Sequence, residues 1–327
     1  MLAYWERSLI IFSSPKPRND QTEAVQIAAF RSWRRAFPNA SILLFGDVAS
    51  WNDEIESLVM QPAGPLVQGG EGGEIICDMF QDASKRAAGE VLLYLNSDIL
   101  LDDSAVKVVE KLRARPGPWL GSARRWCLPK WSDVVPESEL EWRSFFSSAE
   151  KSGRWGEACA LDMFLFRGLS FERMPPFFIG HRGWDNWMIY HARSQNISVI
   201  DISAAMRVIH CDHDYSYVKG NSAPNRRDGP LEEVNLKMLG GEERLFHLGY
   251  ATHEWVEGIV QPCRGWGSMQ RNIELWRIMH PEHDWWVRIL RRLLHPAIKA
   301  LEKSTTQHED WRRHEPNMPR SQSKTLS

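Results

Sequence analysis

The sequence contains a short, uninterrupted apolar segment that stops abruptly at three polar residues. The segment runs from Val91 to Leu95, and the polar residues are Asn96, Ser97 and Asp98. A continuous apolar run of this length is typical of a strand that is buried on both faces of a largely parallel sheet. In open α/β sheets, ligands bind beside the carboxyl ends of such strands. Asp98 is therefore a candidate ligand-binding residue, although a single Asp after a strand more often only stabilises a turn.

Strands and helices alternate along the first two-thirds of the chain. Short apolar runs predict strands, and segments in which apolar residues recur every three or four positions predict helices between them. The predicted strands are 8–13, 41–45, 91–95, a segment within 116–126, 161–167, 198–202 and 206–209, and the predicted helices are 22–36, 74–88, 104–113 and 185–194. A strand–helix–strand order implies right-handed crossovers and parallel strands. We therefore expect an α/β fold with a mostly parallel central sheet that is flanked by helices.

The composition argues against several classes of protein. Lys and Arg number 40 and Asp and Glu number 42, which leaves a net charge of −2 and no electrostatic basis for a nucleic-acid partner. The five Cys are odd in number, widely spaced and without a CxxC pair, so neither a disulfide framework nor a structural zinc site is expected. No run approaches the roughly 20 apolar residues that cross a bilayer. We expect a cytoplasmic protein that does not bind nucleic acid.

Two other parts of the chain have a weaker pattern. Residues 127–157 are polar, rich in Trp and weakly periodic, which predicts a loop that covers the ligand site. We divide the chain into a main domain over 1–218, a partly helical C-terminal extension over 219–302 and a disordered tail over 303–327. Within the extension, 285–302 has the pattern of a basic amphipathic helix. Such a helix can make a peripheral contact with an anionic membrane or pack on the main domain, and the sequence leaves both open.

Two further polar clusters are expected at the same edge of the sheet. Residues 184–186 (WDN) open a predicted helix, and residues 210–213 (HCDH) follow a predicted strand. Together with residues 96–98 (NSD), they would bring carboxylates and imidazoles to one edge. Such groups, with open positions for phosphate oxygens and water, suit Mn²⁺ or Mg²⁺. Each also has a simpler explanation, because Asp185 can cap its helix and either histidine can be a hydrogen-bonded structural residue.

The segments that carry these residues resemble the GT-A fold glycosyltransferases, which use nucleotide-sugar donors. The resemblance covers about residues 8–218 and rests, in this order, on SPKP after the first strand, LLFGD, DMF on a helix, LLYLNSDILL, DMFLFR, IGHRGWDNW and IHCDHDYSY. The most specific segments are NSDI, GWDNW and IHCDHDY, taken together. The resemblance implies a Rossmann-type sandwich with its catalytic domain over 1–218. It also implies transfer of a sugar from a UDP- or GDP-type donor to a carbohydrate or other hydroxyl acceptor.

The resemblance further implies roles for individual residues. Metal binding, with Mn²⁺ or Mg²⁺, is implied for Asp98, His210 and His213. The general base on the acceptor hydroxyl is implied to be Asp185, which gives an inverting reaction, and a retaining route stays open if Asp185 only orients the sugar. Donor binding is implied for Ser13, Ser14, Asp47, Asn96 and Ser97, and contact with the acceptor or sugar is implied for Trp184 and Asn186.

One position departs from the DxD motif of the family. Asn96 stands where the motif has its first Asp, which removes one negative charge and lowers the expected metal affinity. This departure keeps a non-catalytic carbohydrate- or nucleotide-binding protein open as an alternative. A nucleotidyltransferase is a second alternative, because its sheet also ends in acidic residues that bind metal. The segment SPKPRND, however, lacks the Gly-rich, basic signature of that class.

Overall fold

The computed structural model of this chain describes residues 9–20, 22–70, 72–128, 135–211 and 229–280, together with residues 285, 289 and 292. The strands are β1 (Ile10–Ser13), β2 (Ser41–Phe45), β3 (Gln61–Gly64), β4 (Val67–Gln68), β5 (Glu74–Ile75), β6 (Leu92–Leu95), β7 (Ile99–Leu101), β8 (Trp119–Ser122), β9 (Arg125–Leu128), β10 (Arg154–Trp155), β11 (Met163–Arg167), β12 (Ser198–Asp201), β13 (Val208–Cys211), β14 (His253–Val256) and β15 (Ile259–Pro262). The helices are α1 (Glu23–Ala36), α2 (Asn52–Ser57), α3 (Cys77–Ala87), α4 (Ser104–Arg113), α5 (Glu139–Ser152), α6 (Trp184–Ser194), α7 (Pro230–Leu239) and α8 (Trp266–Met279).

Within the described residues, nine strands form one central sheet. Their order is β15-β14-β12-β8-β11-β6-β1-β2-β3. Strand β11 runs antiparallel to both of its neighbours and β15 runs antiparallel to β14, whereas the other neighbouring strands are parallel. The expectation of an α/β fold with a mostly parallel central sheet is therefore confirmed.

Alternate side chains of the central strands enter two cores on opposite faces of the sheet. On β1, Ile11 enters the core that contains Phe30 and Trp33 of α1. The next residue, Phe12, enters the opposite core and meets Phe80 of α3 edge-to-face, with the ring centroids 5.1 Å apart. Full burial of one such side chain stabilises the fold by about 1.5–3 kcal/mol. Helices therefore cover both faces, as expected for a sandwich.

Four further strands form a second sheet in the described part of the chain, in the order β10-β9-β13-β7. Strand β6 belongs to the central sheet and β7 to the second one, so Asn96, Ser97 and Asp98 form the turn between the two sheets. Strand β7 pairs antiparallel with β13, and this register sets His210 opposite Ile99. The pairing brings a histidine of β13 next to the turn that carries Asp98.

Residues 127–157, predicted as a loop, contain a helix. Helix α5 begins with a capping box, in which Oγ of Ser138 accepts from the N–H of Glu141 and the Glu141 carboxylate accepts from the N–H of Ser138. Its buried residues are Trp142 and Ala149. Two residues do not make the broad apolar stripe by which a helix is recognised in a sequence. The prediction of a loop is therefore wrong for the described part of this segment, whereas residues 129–134 lie outside the described residues.

The C-terminal part of the described chain continues the central sheet. Strand β14 pairs parallel with β12 and antiparallel with β15, and the helices α7 and α8 lie in the same part of the chain. The predicted boundary at residue 218 lies outside the described residues, as do 303–327 and nearly all of 285–302. The division into domains and the membrane contact therefore stay predictions. None of the helices in the described ranges has the length and apolar character that crossing a membrane requires.

Candidate active site

Asp98 lies where three elements from the two sheets converge. It belongs to the turn between β6 and β7, and only 2% of it is exposed. Its Oδ2 atom contacts Nζ of Lys16, which lies in the loop after β1. The same oxygen is 3.6 Å from Nε2 of His210 on β13. The structure thus brings Asp98 and His210 together, as the order of the strand ends led us to expect, and it adds a lysine.

The backbone of Lys16 is fixed by two buried side chains. Its N–H donates to Oε1 of Gln26 at 2.8 Å and to Oγ of Ser97 at 3.3 Å. Its carbonyl oxygen accepts from Nε2 of Gln26 at 3.3 Å. Gln26 and Ser97 are both almost inaccessible to solvent. The Ser97 side chain therefore ties the loop after β1 to the turn after β6.

Asn96 is engaged with a different carboxylate. Its Oδ1 atom accepts from the hydroxyl of Tyr94 at 2.7 Å, and its Nδ2 atom donates to Oδ1 of Asp162 at 2.8 Å. Asp162 immediately precedes β11 and pairs with Arg125 of β9, with 2.6 Å between Nε and Oδ2. Both polar atoms of the Asn96 side chain are therefore used within the protein.

Asp185 lies partly buried in the first turn of α6. The helix starts after Gly183, whose φ of 118° disfavours other residues. Oδ1 of Asp185 accepts from the N–H groups of Gly183, at 3.2 Å, and Asn186, at 2.9 Å. Burial raises the pKa of Asp185 from 3.8 to about 6, although these two hydrogen bonds oppose the rise. Asp185 therefore stabilises the start of the helix and also has the pKa that a general base requires near neutral pH.

The buried phenol of Tyr94 has a pKa that responds to three carboxylates and a ring that packs on the start of α6. Burial raises its pKa well above the ordinary value, and the charges of Asp162, Asp98 and Asp185 raise it further. The rings of Tyr94 and Trp184 meet edge-to-face, with their centroids 5.2 Å apart. This contact sets the first turn of α6 against the end of β6. Trp184 thus lies beside Tyr94, which is two positions before Asn96, whereas the convergence of the polar side chains of 96–98 and 184–186 at one edge of the sheet stays a prediction.

A cleft of about 480 Å³ lies beside the ends of β2 and β3. Its lining includes Asp47, Gly46, Leu66 and Glu74. The hydroxyl of Ser14 lies near Gly46, since a Cβ on Gly46 would lie 3.2 Å from Oγ of Ser14. Burial, and then the charge of Asp47, raises the pKa of Glu74. Asp47 therefore lines a space that is open to a ligand, and the contact of Ser14 and Asp47 with a nucleoside stays a prediction.

Three other predicted residues use their side chains inside the fold. Oγ of Ser13 donates to the carbonyl of Leu95 at 2.6 Å and thereby joins β1 to β6. Trp184 is buried among the aromatic rings of the core. Nδ2 of Asn186 donates to the carbonyl of Phe246 at 2.7 Å. These contacts support structural roles, so the donor contact of Ser13 and the sugar contacts of Trp184 and Asn186 stay predictions.

The predicted metal site is described only in part, because His213 lies outside the described residues. Within the described ranges, no group of three or more His, Cys, Asp or Glu side chains is arranged to hold a metal ion. The ammonium of Lys16 contacts the Asp98 oxygen nearest to His210, and Asn96 is engaged with Asp162. The described residues therefore do not by themselves fit Mn²⁺ or Mg²⁺, and metal binding stays a prediction.

The sequence does not single out three residues of this region, namely Lys16, Asp162 and Arg125. Lys16 stands between two prolines directly after a strand, which is a signal for a rigid strand-end loop. Asp162 is the one charged residue next to the start of the apolar run of β11, and it marks where that strand begins. Arg125 has no distinguishing pattern, and its role emerges only from the pairing of the strands.

Comparison with known proteins shows distant similarity to several solved structures. No protein-family model and no curated protein matches the sequence. A structure of S. aureus TarS, residues 1–349, shares 12% identity over 40% of this chain and 38% of its own length, with a TM-score of 0.28. A candidate nucleotide-diphospho-sugar transferase from Desulfovibrio desulfuricans G20 shares 12% identity over 71% of this chain and 97% of its own, with a TM-score of 0.37. At TM-scores below 0.5, neither likeness bears on the activity of this chain.

Proposed function

We propose that this protein transfers a sugar from a nucleotide-sugar donor to a hydroxyl group of an acceptor. The observation that carries the proposal is the arrangement around Tyr94, whose ring contacts Trp184, the neighbour of Asp185, and whose hydroxyl donates to Asn96, two positions before Asp98. Burial raises the pKa of Asp185 to about 6. Asp185 is suited to accept a proton. Asp98 belongs to a cluster of acidic and basic groups at the end of a sheet strand, where α/β proteins bind their ligands. A carboxylate that can take up a proton near neutral pH is a group that this reaction needs and that a non-catalytic binding protein does not.

The donor is proposed to lie across the ends of β1, β2 and β6. The cleft that Asp47 lines, at about 480 Å³, lies within the size range of small-molecule sites and can take a nucleoside. The loop after β1 leads from Ser14 to Lys16 and Ser97, next to Asp98, and we place the diphosphate there. Both UDP-type and GDP-type donors are compatible with this arrangement, and the acceptor is a carbohydrate or another compound with a reactive hydroxyl.

In the proposed reaction, a hydroxyl oxygen of the acceptor attacks the anomeric carbon of the donor sugar and forms a new C–O bond. Asp185 accepts the proton of that hydroxyl, a contribution that is typically about 10²–10⁴-fold. The bond between the anomeric carbon and the diphosphate oxygen breaks through an oxocarbenium-like transition state, as in glycoside hydrolysis. Its electron pair leaves with the nucleoside diphosphate. Attack opposite the leaving group inverts the anomeric configuration.

The test is the release of nucleoside diphosphate from a panel of UDP- and GDP-sugars, with and without mono- and oligosaccharide acceptors, in Mn²⁺ and in EDTA. Asp185→Asn keeps the oxygen that accepts from Gly183 and Asn186 but cannot take up a proton. We expect it to lose about 10²–10⁴-fold in turnover while its affinity for the donor is unchanged. Asp53→Asn, at an exposed position of α2, is the matched control and should behave like wild type.

Two results would count against the proposal. No release from any donor under any of these conditions would overturn the enzymatic function and favour a non-catalytic binding protein. Equal losses of turnover and of donor affinity in Asp185→Asn would assign Asp185 to the structure of the helix start, and the general base would then have to be another residue.

A further inference from the structure

We propose that Lys16 supplies the positive charge that stabilises the leaving diphosphate, at the place where the resembled family uses a divalent metal ion. The inference rests on the proposed function and identifies the residue of this chain that serves its leaving group. Three observations carry it: the contact of Lys16 with Asp98, the fixed backbone of Lys16, and the different exposure of the two side chains.

The ammonium group of Lys16 lies next to the Asp98 carboxylate, where a metal ion would otherwise bind. Its Nζ atom contacts Oδ2 of Asp98, and this oxygen is also 3.6 Å from Nε2 of His210. A divalent cation between Asp98 and His210 would have to displace the ammonium or share the oxygen with it. Two cations a few ångströms apart repel each other, and the repulsion is strongest where water is excluded. The ion pair is therefore an alternative to a metal ion at this point of the fold.

The loop that carries Lys16 is fixed by contacts within the protein. Gln26, which has no exposed surface, bonds to both the N–H and the carbonyl of Lys16. Ser97 accepts from the same N–H. Pro15 and Pro17, on either side, restrict the backbone further. A residue held in this way loses little freedom when it binds a ligand, which distinguishes it from a lysine on an open surface.

The two charged side chains differ in their access to solvent. Of the Lys16 side chain 22% is exposed, whereas 2% of the Asp98 side chain is exposed. A ligand that arrives from solvent therefore meets the ammonium, with the carboxylate behind it. Because an ammonium has three N–H donors, it can bond to a carboxylate and to a phosphate oxygen at the same time.

The neutral side chain of Asn96 agrees with this role. The side chain of Asn96 bonds to Tyr94 and Asp162. Because residues 96 and 97 are Asn and Ser, the turn after β6 carries one carboxylate, that of Asp98. That carboxylate is in contact with the ammonium of Lys16. Two carboxylates would repel a diphosphate unless a metal ion lay between them. The replacement of the first Asp of the motif thus removes the charge that a metal ion would otherwise have to balance.

The charge balance of the reaction follows directly. When the bond to the anomeric carbon breaks, its electron pair passes to the diphosphate oxygen. Lys16 stabilises the added negative charge through charge-assisted hydrogen bonds, without giving up a proton. The proton of the acceptor hydroxyl goes to Asp185, as in the proposed reaction.

Binding of inorganic pyrophosphate, measured by calorimetry in EDTA, tests this role without relying on transfer. We expect wild type to bind and Lys16→Met to weaken binding by at least about 10-fold, because a charge-assisted hydrogen bond is lost. Asp98→Asn should tighten binding, since it removes a negative charge beside the anion. Lys107→Met, at an exposed position of α4, is the matched control and should have no effect. Mn²⁺ alone, titrated by electron paramagnetic resonance, should not bind tightly.

A metal site gives the reverse result in each measurement. Pyrophosphate would then not bind in EDTA, Mn²⁺ alone would bind tightly, and Asp98→Asn would abolish the binding of Mn²⁺. These results would overturn the inference. Donor turnover that requires Mn²⁺ and survives Lys16→Met would also overturn it, while upholding the proposed transfer. Pyrophosphate binding that depends on Lys16, with no donor turned over, would instead uphold the anion site and contradict the proposed transfer.

A double variant separates binding from folding. Lys16→Met leaves a buried carboxylate without its ammonium, which can destabilise the fold. Lys16→Met combined with Asp98→Asn removes both charges, and we expect it to fold like wild type and to bind pyrophosphate as weakly as Lys16→Met. If the double variant binds pyrophosphate as tightly as wild type, Lys16 is not the binding group and the inference fails.

Discussion

Replacement of Asp185 by Asn should make the protein more stable at neutral pH and, at the same time, inactive. Burial raises the pKa of this carboxyl from 3.8 to about 6, so ionisation is less favourable in the folded than in the unfolded chain. Because the folded-state pKa is raised, protonated Asp185 contributes stability to the fold. This contribution is lost as the pH rises from 3.8 to about 6. Asn stays neutral, and its Oδ1 atom can still accept from the N–H groups of Gly183 and Asn186.

The size of the effect on stability follows from the two pKa values. They differ by roughly two units, from 3.8 to about 6, and one unit corresponds to about 1.4 kcal/mol. Above pH 6, ionised Asp185 therefore lowers the free energy of unfolding by about 3 kcal/mol. Below about pH 3 the carboxyl is protonated in both states and the effect vanishes. Relative to wild type, Asp185→Asn should become more stable by about 2.5 kcal/mol between pH 4 and pH 7, because the unfolded chain, with a carboxyl pKa of 3.8, is already partly ionised at pH 4.

Urea unfolding of both proteins at pH 4, 5, 6 and 7, followed by circular dichroism, measures this effect. The informative quantity is the difference in free energy of unfolding between variant and wild type, because the other titrating groups contribute equally to both. Asp53→Asn should show no such trend, since Asp53 is exposed. A difference for Asp185→Asn that stays constant or falls from pH 4 to pH 7 would refute the raised pKa of Asp185 and remove the basis for its role as general base.

Three further predictions address the site and its surroundings. Turnover should rise with pH through about 6 as Asp185 loses its proton, and a flat pH–rate profile between pH 5 and pH 7 would contradict this. Ser138→Ala removes the capping box of α5 and should lower the free energy of unfolding in urea by about 1 kcal/mol. Arg125→Met leaves the buried carboxylate of Asp162 without its guanidinium and should cost about 3–5 kcal/mol in the same assay, whereas an unchanged stability would show that the pair is not required.

The elements with the strongest apolar patterns could be predicted nearly to the residue. Strand β2, Ser41–Phe45, and helix α4, Ser104–Arg113, have the bounds that their apolar residues indicate. Both bury a full face or stripe, so hydrophobic burial alone determines where they lie. Helix α5 is held by its capping box and by few buried residues. Its start, Ser138 followed three positions later by Glu141, is the signal in the sequence that would have revealed it.

The contacts of the candidate site could be predicted only in part, because they join distant parts of the chain. Lys16 and Asp98 are separated by 82 positions, and Asn96 and Asp162 by 66. These pairs meet because β6 lies between β1 and β11 in the central sheet, and apolar periodicity does not specify the order of strands. Trp184 is a related case. Its position beside polar residues suggests a contact with sugar, but its ring packs on Tyr94, which no local pattern reveals.

The division of the chain between two sheets explains why a cation is built in beside Asp98. Backbone hydrogen bonds from Asn96 to the carbonyl of Asp162, at 2.9 Å, and from Ile99 to the carbonyl of Asn96, at 3.1 Å, fix the turn between β6 and β7 and keep Asp98 buried there. A buried carboxylate without a partner destabilises a fold by several kcal/mol, so the turn requires a positive charge whether or not a ligand is bound. Lys16 meets this requirement within the folded chain. Removing either charge alone should therefore destabilise the protein more than removing both. In the intact protein, a diphosphate donor would bind to a positive charge that is already in place in the folded chain.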